Sequence, residues 1–565
     1  PMSVLRAALA VAALAAATAA EAQSPAEFLP GDPRAGLPAA VPPEPSAPTP
    51  APQPAAPGEG PSFVLRGVNV VGATAIPPAE LAPVWADLIG RPASLATLDG
   101  LAEAIAAAYR SRGFVLSQAA VPPQTVEDGV ATIRVIEGFV DRVAVAGGAD
   151  NQRASAARRF AAVPEDRPLR IETLERAVLL SRDVFGGGVE TVVEPSPETF
   201  GAADLAVAIT PAPPSGFGSI DNRGSRLYGA WSFATGVTAY NLLGLNEQLN
   251  LLGAGAVDGS LGYIQGSAAL PIAALDGTAL DGAMLELEAD YANGEPDLSE
   301  SGAPDAQTLT THEVNLRIGL SVPFIRTRAQ NLYGTLALDW QDSDNVTGFG
   351  TDEVTESDRL LVLEAGVSWD RADRSGGVTL VEATLRQGLD ASDTFVGGGV
   401  TAGVPDFTLI AAEAKRLQRL GQDGWALWLE AIGQYALDIL PNSERFSLGD
   451  ATIGRGYAPG DVTGDSGYGG RAELRRRVEG ASFGGFAEAA ELYAYGDYGR
   501  AYDRDGERDG ERWQTLASAG IGVRLDVRDW LTVTPEIARQ LEGRPTDTTD
   551  PNLETRFYIG VMARF

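Results

Sequence analysis

From about residue 215 to the C-terminus, apolar and polar positions alternate over runs of roughly ten residues, and Gly-, Asp- and Asn-rich turns separate the runs. Val314, Leu316, Ile318, Leu320 and Val322 alternate with Asn315, Arg317, Gly319 and Ser321. Leu332, Gly334, Leu336, Leu338 and Trp340 repeat the pattern, as do Leu361, Leu363, Ala365, Val367 and Trp369. A period of two puts one set of side chains on each face of a strand. Beyond the N-terminus the chain has no apolar run long enough for a transmembrane helix, so these faces fit strands with lipid on one side and water on the other. About sixteen such runs follow residue 216, an even number of the kind that closes into a membrane barrel. The expected fold is a transmembrane β-barrel of about sixteen antiparallel strands over 212–565. In its last run Phe557, Ile559, Val561, Ala563 and Phe565 share one face, and Tyr558, Gly560 and Arg564 the other. A soluble sandwich or propeller also alternates, but it needs neither an export signal nor a terminal aromatic strand.

The N-terminal part has a different texture. Residues 1–22 carry one basic residue, Arg6, an Ala/Leu/Val stretch and the small-x-small site Ala20-Glu21-Ala22, the pattern of a secretory signal peptide. Residues 23–61 are Pro- and Ala-rich and read as an extended linker; Leu29-Pro30-Gly31-Asp32-Pro33 is poor material for a helix that could plug a pore. Over 62–138 an extended stretch (63–71) precedes a helix after Ile76-Pro77-Pro78, a second helix at 95–112 and strands at 115–121 and 131–136. Leu98, Leu101, Ile105 and Ala108 line one face of the second helix. A related order recurs over 139–211, with strands near 140–146, 189–193 and 205–209 and helices near 151–160 and 171–185. Two small α+β modules in tandem are expected.

Composition narrows the function. Forty-three Lys and Arg against 75 Asp and Glu give a net charge of -32, which argues against a nucleic-acid partner. With no Cys and one His, His312, there is no thiolate metal site, no disulfide framework and little basis for His-dependent catalysis. No metal, cofactor or enzymatic activity is expected. Gly464-Asp465-Ser466-Gly467 has the look of a serine-protease nucleophile motif, but His312 sits in a strand context without triad logic. Asp503-Arg504-Asp505-Gly506 lacks the remaining ligands of a calcium loop and reads as an acidic hairpin tip; Gly397-Gly398-Gly399 opens no helix and reads as a turn.

One constellation remains. Glu491, Tyr493, Tyr495 and Asp497 share a strand face, which points Asp497 into the barrel, where a carboxylate wants a cation. Arg455, flanked by Gly454 and Gly456, could supply a bidentate partner from a loop folded into the lumen. On these residues alone, an exposed Gly-rich loop tip with a solvated Arg455 fits equally well.

Two such modules before a sixteen-strand barrel resemble the outer-membrane transporters of two-partner secretion, the haemolysin secretion/activation family, whose periplasmic modules are called POTRA domains. The resemblance covers 62–565. Ile453-Gly454-Arg455-Gly456-Tyr457 is similar to the family's hydrophobic-Arg-Gly-aromatic loop motif, with Gly454 where Val or a similar residue is commoner. Tyr495-Gly496-Asp497-Tyr498-Gly499 is similar to its Asp-x-Gly strand motif. The resemblance implies that Gly454, Arg455, Gly456 and Tyr457 lie in a pore-inserted loop between strands eleven and twelve, with Asp497 and Gly499 facing it. It also implies that Phe557, Ile559, Val561 and Phe565 form an assembly signal read by the barrel insertion machinery. The implied location is the outer membrane of a Gram-negative bacterium, with the modules in the periplasm. The implied partners are outer-membrane lipid and an unfolded secreted exoprotein of adhesin or haemolysin type; its identity, and whether export also activates it, are not implied. Two other classes compete. A barrel-assembly or insertion factor usually carries more modules, and a passive porin or receptor would not need the two found here.

Overall fold

The computed structural model describes residues 62–565 apart from 225–226, 299–306, 350–351, 390–392, 397–402, 422, 480–485, 505–511 and 544–551. The signal peptide expected at 1–22, the linker at 23–61, the Gly397-Gly398-Gly399 turn and residues 505–506 of the acidic tip lie outside the described residues.

Sixteen strands form the wall of a closed antiparallel barrel, from Ser215–Asp221 to Thr555–Arg564, which pair with each other to complete the circle. A short extra strand, Asp393–Val396, hangs on the upper part of the eighth wall strand, Asp352–Ala372. Closure leaves no free sheet edge in the lipid, so the wall strands satisfy their backbone groups mainly across the ladder. The closing seam is brief, pairing 560–564 with 217–221. Beyond it the side chain of Asn222 takes over: its Nδ2 donates to Phe557 O (2.9 Å) and its Oδ1 accepts from Ile559 N (2.7 Å). At the other end Phe565 and Gly216 exchange two backbone bonds, N to O 2.9 Å and 2.8 Å.

The alternation determines what each face meets. Leu316, Ile318, Leu320, Leu336, Leu338, Trp340, Leu363 and Val367 point outward and are exposed. Phe557, Ile559 and Phe565 join that outer surface, whereas Tyr558 is buried inside. Strands Gln307–Arg326, Gln330–Phe349 and Asp352–Ala372 are 20, 20 and 21 residues long, about twice what a membrane requires. The outer face of Gln330–Phe349 is apolar from Leu332 to Trp340 and continues with Asp342 and Asp344. The lipid band therefore ends near Trp340 and the upper half of these strands stands in water. Val322 departs from its row: next to a bulge at Pro323/Ile325, it is buried.

Each module is a three-stranded sheet with two helical segments. In the first, Gly67–Val71 runs parallel and Gln118–Ala120 antiparallel to the central Val130–Ile136. In the second, Phe139–Gly147 runs parallel and Gly188–Pro195 antiparallel to the central Ala202–Thr210. The repeat extends to strand direction. Leu98, Leu101 and Ile105 of helix Leu95–Arg110 are buried over the first sheet, and Ser94 caps its N-terminus. The helix expected after Ile76-Pro77-Pro78 is one turn, Pro78–Leu81, followed by 3-10 turns, because Pro83 removes a donor the next turn needs. The strand expected at 115–121 shrinks to Gln118–Ala120, since Leu116 instead packs on the core of the second module.

Glu137 ties the first module together. Its carboxylate accepts from Thr74 N, Ala75 N and Tyr109 Oη, each at 2.7 Å, and from the Thr74 hydroxyl. Burial alone would raise its pKa, but these donors outweigh it and hold the carboxyl below its ordinary value. A depressed folded-state pKa means the stabilisation is complete above the unfolded value of roughly 4.3 and fades as pH falls through the folded one. Glu137→Gln should cost the module about 1–2 kcal/mol at neutral pH and remove this part of its acid sensitivity. Amide hydrogen exchange of Thr74 and Ala75 in the full chain, at pH 7 and near pH 4, measures both effects. At the barrel seam, deletion of Phe565 removes the two bonds to Gly216 and should lower the amount of heat-modifiable, folded barrel; an unchanged amount would refute an assembly role for this residue.

Candidate functional site: the loop inside the barrel

Between the eleventh strand, Trp425–Ala436, and the twelfth, Ser466–Glu479, residues 437–465 fold back into the lumen. Two short strands, Phe446–Leu448 and Val462–Gly464, pair to make a hairpin. Its apolar residues Phe446, Leu448, Ile453, Tyr457 and Val462 pack on Ala501 and Leu516 of the wall. The wall makes room with glycine: a Cβ on Gly499 would lie 2.5 Å from Leu448 Cδ1, and one on Gly469 would lie 3.0 Å from Ile453. Asp450 shapes the tip by accepting from the Ile453 amide (2.9 Å). Gly454 has φ +88°, and a Cβ there would stand 2.9 Å from both Gly449 Cα and Leu516 Cδ1, which explains why no branched residue occupies this position.

Arg455 is buried at the centre of the lumen cluster. Its guanidinium pairs with Glu473 of the twelfth strand (3.0 Å) and Glu536 of the fifteenth, Leu531–Glu542 (3.4 Å); its Nε donates to Ala451 O (2.8 Å), and it lies 4.6 Å from the Tyr495 ring centre. Asp497, on the thirteenth strand Ala489–Tyr502, does face the loop, but not as the bidentate partner the residue types suggested. One oxygen accepts from the Ser518 hydroxyl (2.7 Å) and amide (3.0 Å), and the other from the backbone amide of Arg455 (3.3 Å). With those acceptors engaged, Asp497 fixes the loop's backbone, and the guanidinium reaches past it to the two glutamates. Gly456 lies between Ser518 and Gln540, which bond to its N–H (3.2 Å) and C=O (2.8 Å). The Tyr457 hydroxyl donates to the carbonyls of Ala517 and Glu542.

Residues outside the motif carry much of the rest. Glu536 also accepts from Tyr493 (2.6 Å) and Tyr495 (2.9 Å) and pairs with Arg223 (2.8 Å); Glu473 pairs with Arg475 (2.7 Å) and Arg524 (2.9 Å). Glu444 of the loop is held by Arg386 of the ninth strand, Gly377–Gly388 (2.8 Å), and Arg445 by Asp503 (3.0 Å). Asp465 accepts from the amides of Leu440 (2.8 Å) and Arg504 (2.7 Å), so the protease-like tetrapeptide is a loop clamp. His312 lies on the outer face of the sixth strand, and Ser466 Oγ accepts from the Ala436 amide (3.0 Å). A cavity of about 300 Å³ adjoins the cluster, lined among others by Arg223, Trp428, Glu430, Arg455 and Arg471. It has room for several waters.

Residues 63–138 match the model of the ShlB-type POTRA domain, and 278–525 match that of the haemolysin secretion/activation protein ShlB/FhaC/HecB. The two matches cover more than half of the chain. It belongs to the haemolysin secretion/activation family. Its barrel accordingly sits in an outer membrane and its modules in the periplasm. Among curated proteins it is similar to the heme/hemopexin transporter protein HuxB of Haemophilus influenzae strain 86-028NP (28% identity over 175 residues, 30% of this chain and 31% of that one). It is also similar to the outer membrane transporter CdiB of Escherichia coli (25% over 215 residues, 38% of this chain and 36% of that one). The aligned parts thus span about a third of these relatives' lengths. Among solved structures, CdiB from Escherichia coli superposes with TM-score 0.68 at 19% identity, covering 94% of each chain. BamA from Haemophilus ducreyi lacking POTRA domains 1–3 gives 0.53 at 14%, covering 89% of this chain and 100% of that one. Both describe the fold.

The pairing geometry changes what mutations should do. Arg455→Ala leaves Glu473 and Glu536 with their other cations, near a cavity with room for several waters, so the loss should be nearer about 1 kcal/mol than the several expected of a dry pair. The barrel should remain inserted while the loop loosens. A charge swap, Arg455→Asp with Asp497→Arg, should fail to restore the loop, because the two side chains are not each other's ionic partners. Gly499→Val should loosen it by a steric route, through Leu448. Single-channel conductance in planar bilayers should rise in all three; wild-type conductance in the Arg455 and Gly499 variants would refute an occluding role for the loop.

Proposed function

We propose that this protein captures an unfolded exoprotein in the periplasm and passes it through the barrel to the cell surface. The observation that carries this reading is a wide closed barrel whose lumen is filled by a loop held through side chains, so that the passage can open without breaking the wall. The family match and the transporter names of its relatives support it. Gly454, Arg455, Gly456 and Tyr457, with Asp497 and Gly499 opposite, are the residues we assign to holding the loop. Phe557, Ile559, Val561 and Phe565 are assigned to recognition by the insertion machinery during assembly.

Capture suits the first module. A cavity of about 600 Å³ lies beside the start of helix Leu95–Arg110, lined by Phe63, Leu95, Leu98, Val121, Pro122 and Val126. Leu95 and Val64 are exposed. An extended segment with apolar side chains fits such a groove, and backbone pairing to a sheet edge adds affinity that does not depend on client sequence. The client would be an adhesin- or haemolysin-type exoprotein, and its folding outside the cell would supply the driving force.

The likeness to BamA keeps barrel assembly as the competing reading. Deleting the gene in its host should abolish surface appearance of one exoprotein while the level of other outer-membrane barrels stays constant. Purified 62–211 should bind unfolded segments of that exoprotein and not its folded form. A general fall in outer-membrane barrels with normal exoprotein display would favour assembly and overturn secretion.

A further inference from the structure

The second module is fastened to the barrel rim at a place the loop motif does not touch. Its helix Asp150–Arg159 ends in Arg159, whose side chain is 0% exposed. Arg159 Nη2 donates to Asp276 (2.9 Å), Nε to Asp281 (3.2 Å) and Nη1 to Ser155 Oγ (2.8 Å). Both aspartates lie on the turn between the fourth strand, Leu261–Pro271, and the fifth, Met284–Gly294, and Arg158 adds a second cation to Asp276 (3.0 Å). Two more turns join in. Asn151 Nδ2 bonds Asn241 (2.6 Å) and Asn246 (2.8 Å) between strands two and three. At the turn after strand six, Arg326 grips Asp183 with two bonds of 2.7 Å and Arg328 pairs with Glu175 (3.0 Å). Met284 of the wall packs on the module's apolar core.

A cation with no solvent contact, shared by two carboxylates on one turn, is costly to separate, and its directional bonds allow one orientation. Exposed ion pairs would have left the module free to swing. The first module is continuous with the second through Ile171 N to Gly113 O (2.9 Å) and Leu169 N to Gly138 O (3.0 Å). A fixed second module therefore also aims the first. We propose that Arg159, with Asp276 and Asp281, is a positioning centre that holds the periplasmic arm in one orientation on the rim throughout transport. This rests on the secretion reading above, but the contact can be tested without it.

The chain has no cysteine, so a pair introduced across the interface is the sole thiol pair. Glu175→Cys with Arg328→Cys replaces the outlying ion pair and can be bridged by a reducible bis-methanethiosulfonate reagent. In outer membranes, bridging should be fast in an otherwise unchanged chain and slower by roughly tenfold with Arg159→Met or with Asp276→Asn plus Asp281→Asn. The second pair of changes leaves the module's own residues intact, which separates lost docking from a misfolded module. Exoprotein display should fall by a similar factor in both, single-channel conductance should stay unchanged, and bridging should restore display until the bridge is reduced. Normal bridging in both variants would overturn the contact itself. Slow bridging with normal display would overturn its positioning role, and loss of display on bridging the otherwise unchanged chain would show that the module must leave the rim. If the unchanged chain displays no exoprotein, the secretion reading fails while the bridging rates still decide the contact.

Discussion

In a bilayer core each backbone N–H and C=O must find a partner within the protein, and closing sixteen strands into a ring supplies such partners along the wall, with the Asn222 side chain extending the short seam. The same closure makes a ring too wide for its own side chains to fill, because interior diameter grows with strand number while side-chain length does not. A second element must occupy the lumen if the membrane is to stay sealed. Residues 437–465 do so, and the wall accommodates them with small inward positions such as Gly469 and Gly499, where Leu448 and Ile453 come close. The loop's apolar cluster and the wall's glycines are thus two sides of one packing requirement.

Holding the loop is an electrostatic problem. Arg455, Glu473, Glu536 and Arg524 are all nearly inaccessible, and an isolated charge in that position would be costly. None is isolated: Glu473 meets three cations, and Glu536 meets two cations and two tyrosine hydroxyls. Shared partners mean that no group depends on a single contact, and they make the set collectively directional. The adjoining cavity offers water to any group that loses its partner, which keeps the cost of rearrangement low.

Much of this was legible in the sequence. Two-residue alternation reports which face a wall residue occupies, so the barrel, the inward face of Asp497 and the outward row of the last strand could be read directly. The tandem modules showed as a repeated order of periods. The partner of Arg455 could not be read, because a loop's depth in the lumen leaves no periodic trace and Asp497 was the nearest carboxylate in the motif. A signal did exist: Arg471, Glu473 and Arg475 alternate within an apolar-faced strand, and inward charges at membrane depth mark a polar interior with partners. The rim contacts had no such signal. Asp276, Asp281 and Asp183 look like ordinary acidic residues of turns and a helix until the fold brings Arg159 and Arg326 to them.

These attachments differ in what it takes to undo them. The wall is held by a continuous backbone ladder, and the second module by a cation excluded from solvent together with contacts to three separate turns. Around Arg455 the loop is held by side chains that share partners and border water, while its apolar cluster and the Arg445–Asp503 pair are excluded from solvent. Under a common perturbation the element with the cheapest alternative partners should yield first, and the Arg455 end of the loop, beside the cavity, offers such partners. On the proposed secretion reading, a fixed wall and a fixed arm would let a local change at residues 437–465 alter the passage without disturbing the membrane seal. Glu536 gives this change a route to the barrel seam, because its carboxylate holds both Arg455 of the loop and Arg223, which follows the first wall strand. Withdrawal of Arg455 would leave Arg223 and the two tyrosines as the remaining ligands of that carboxylate, so the seam would keep its anchor while the lumen emptied.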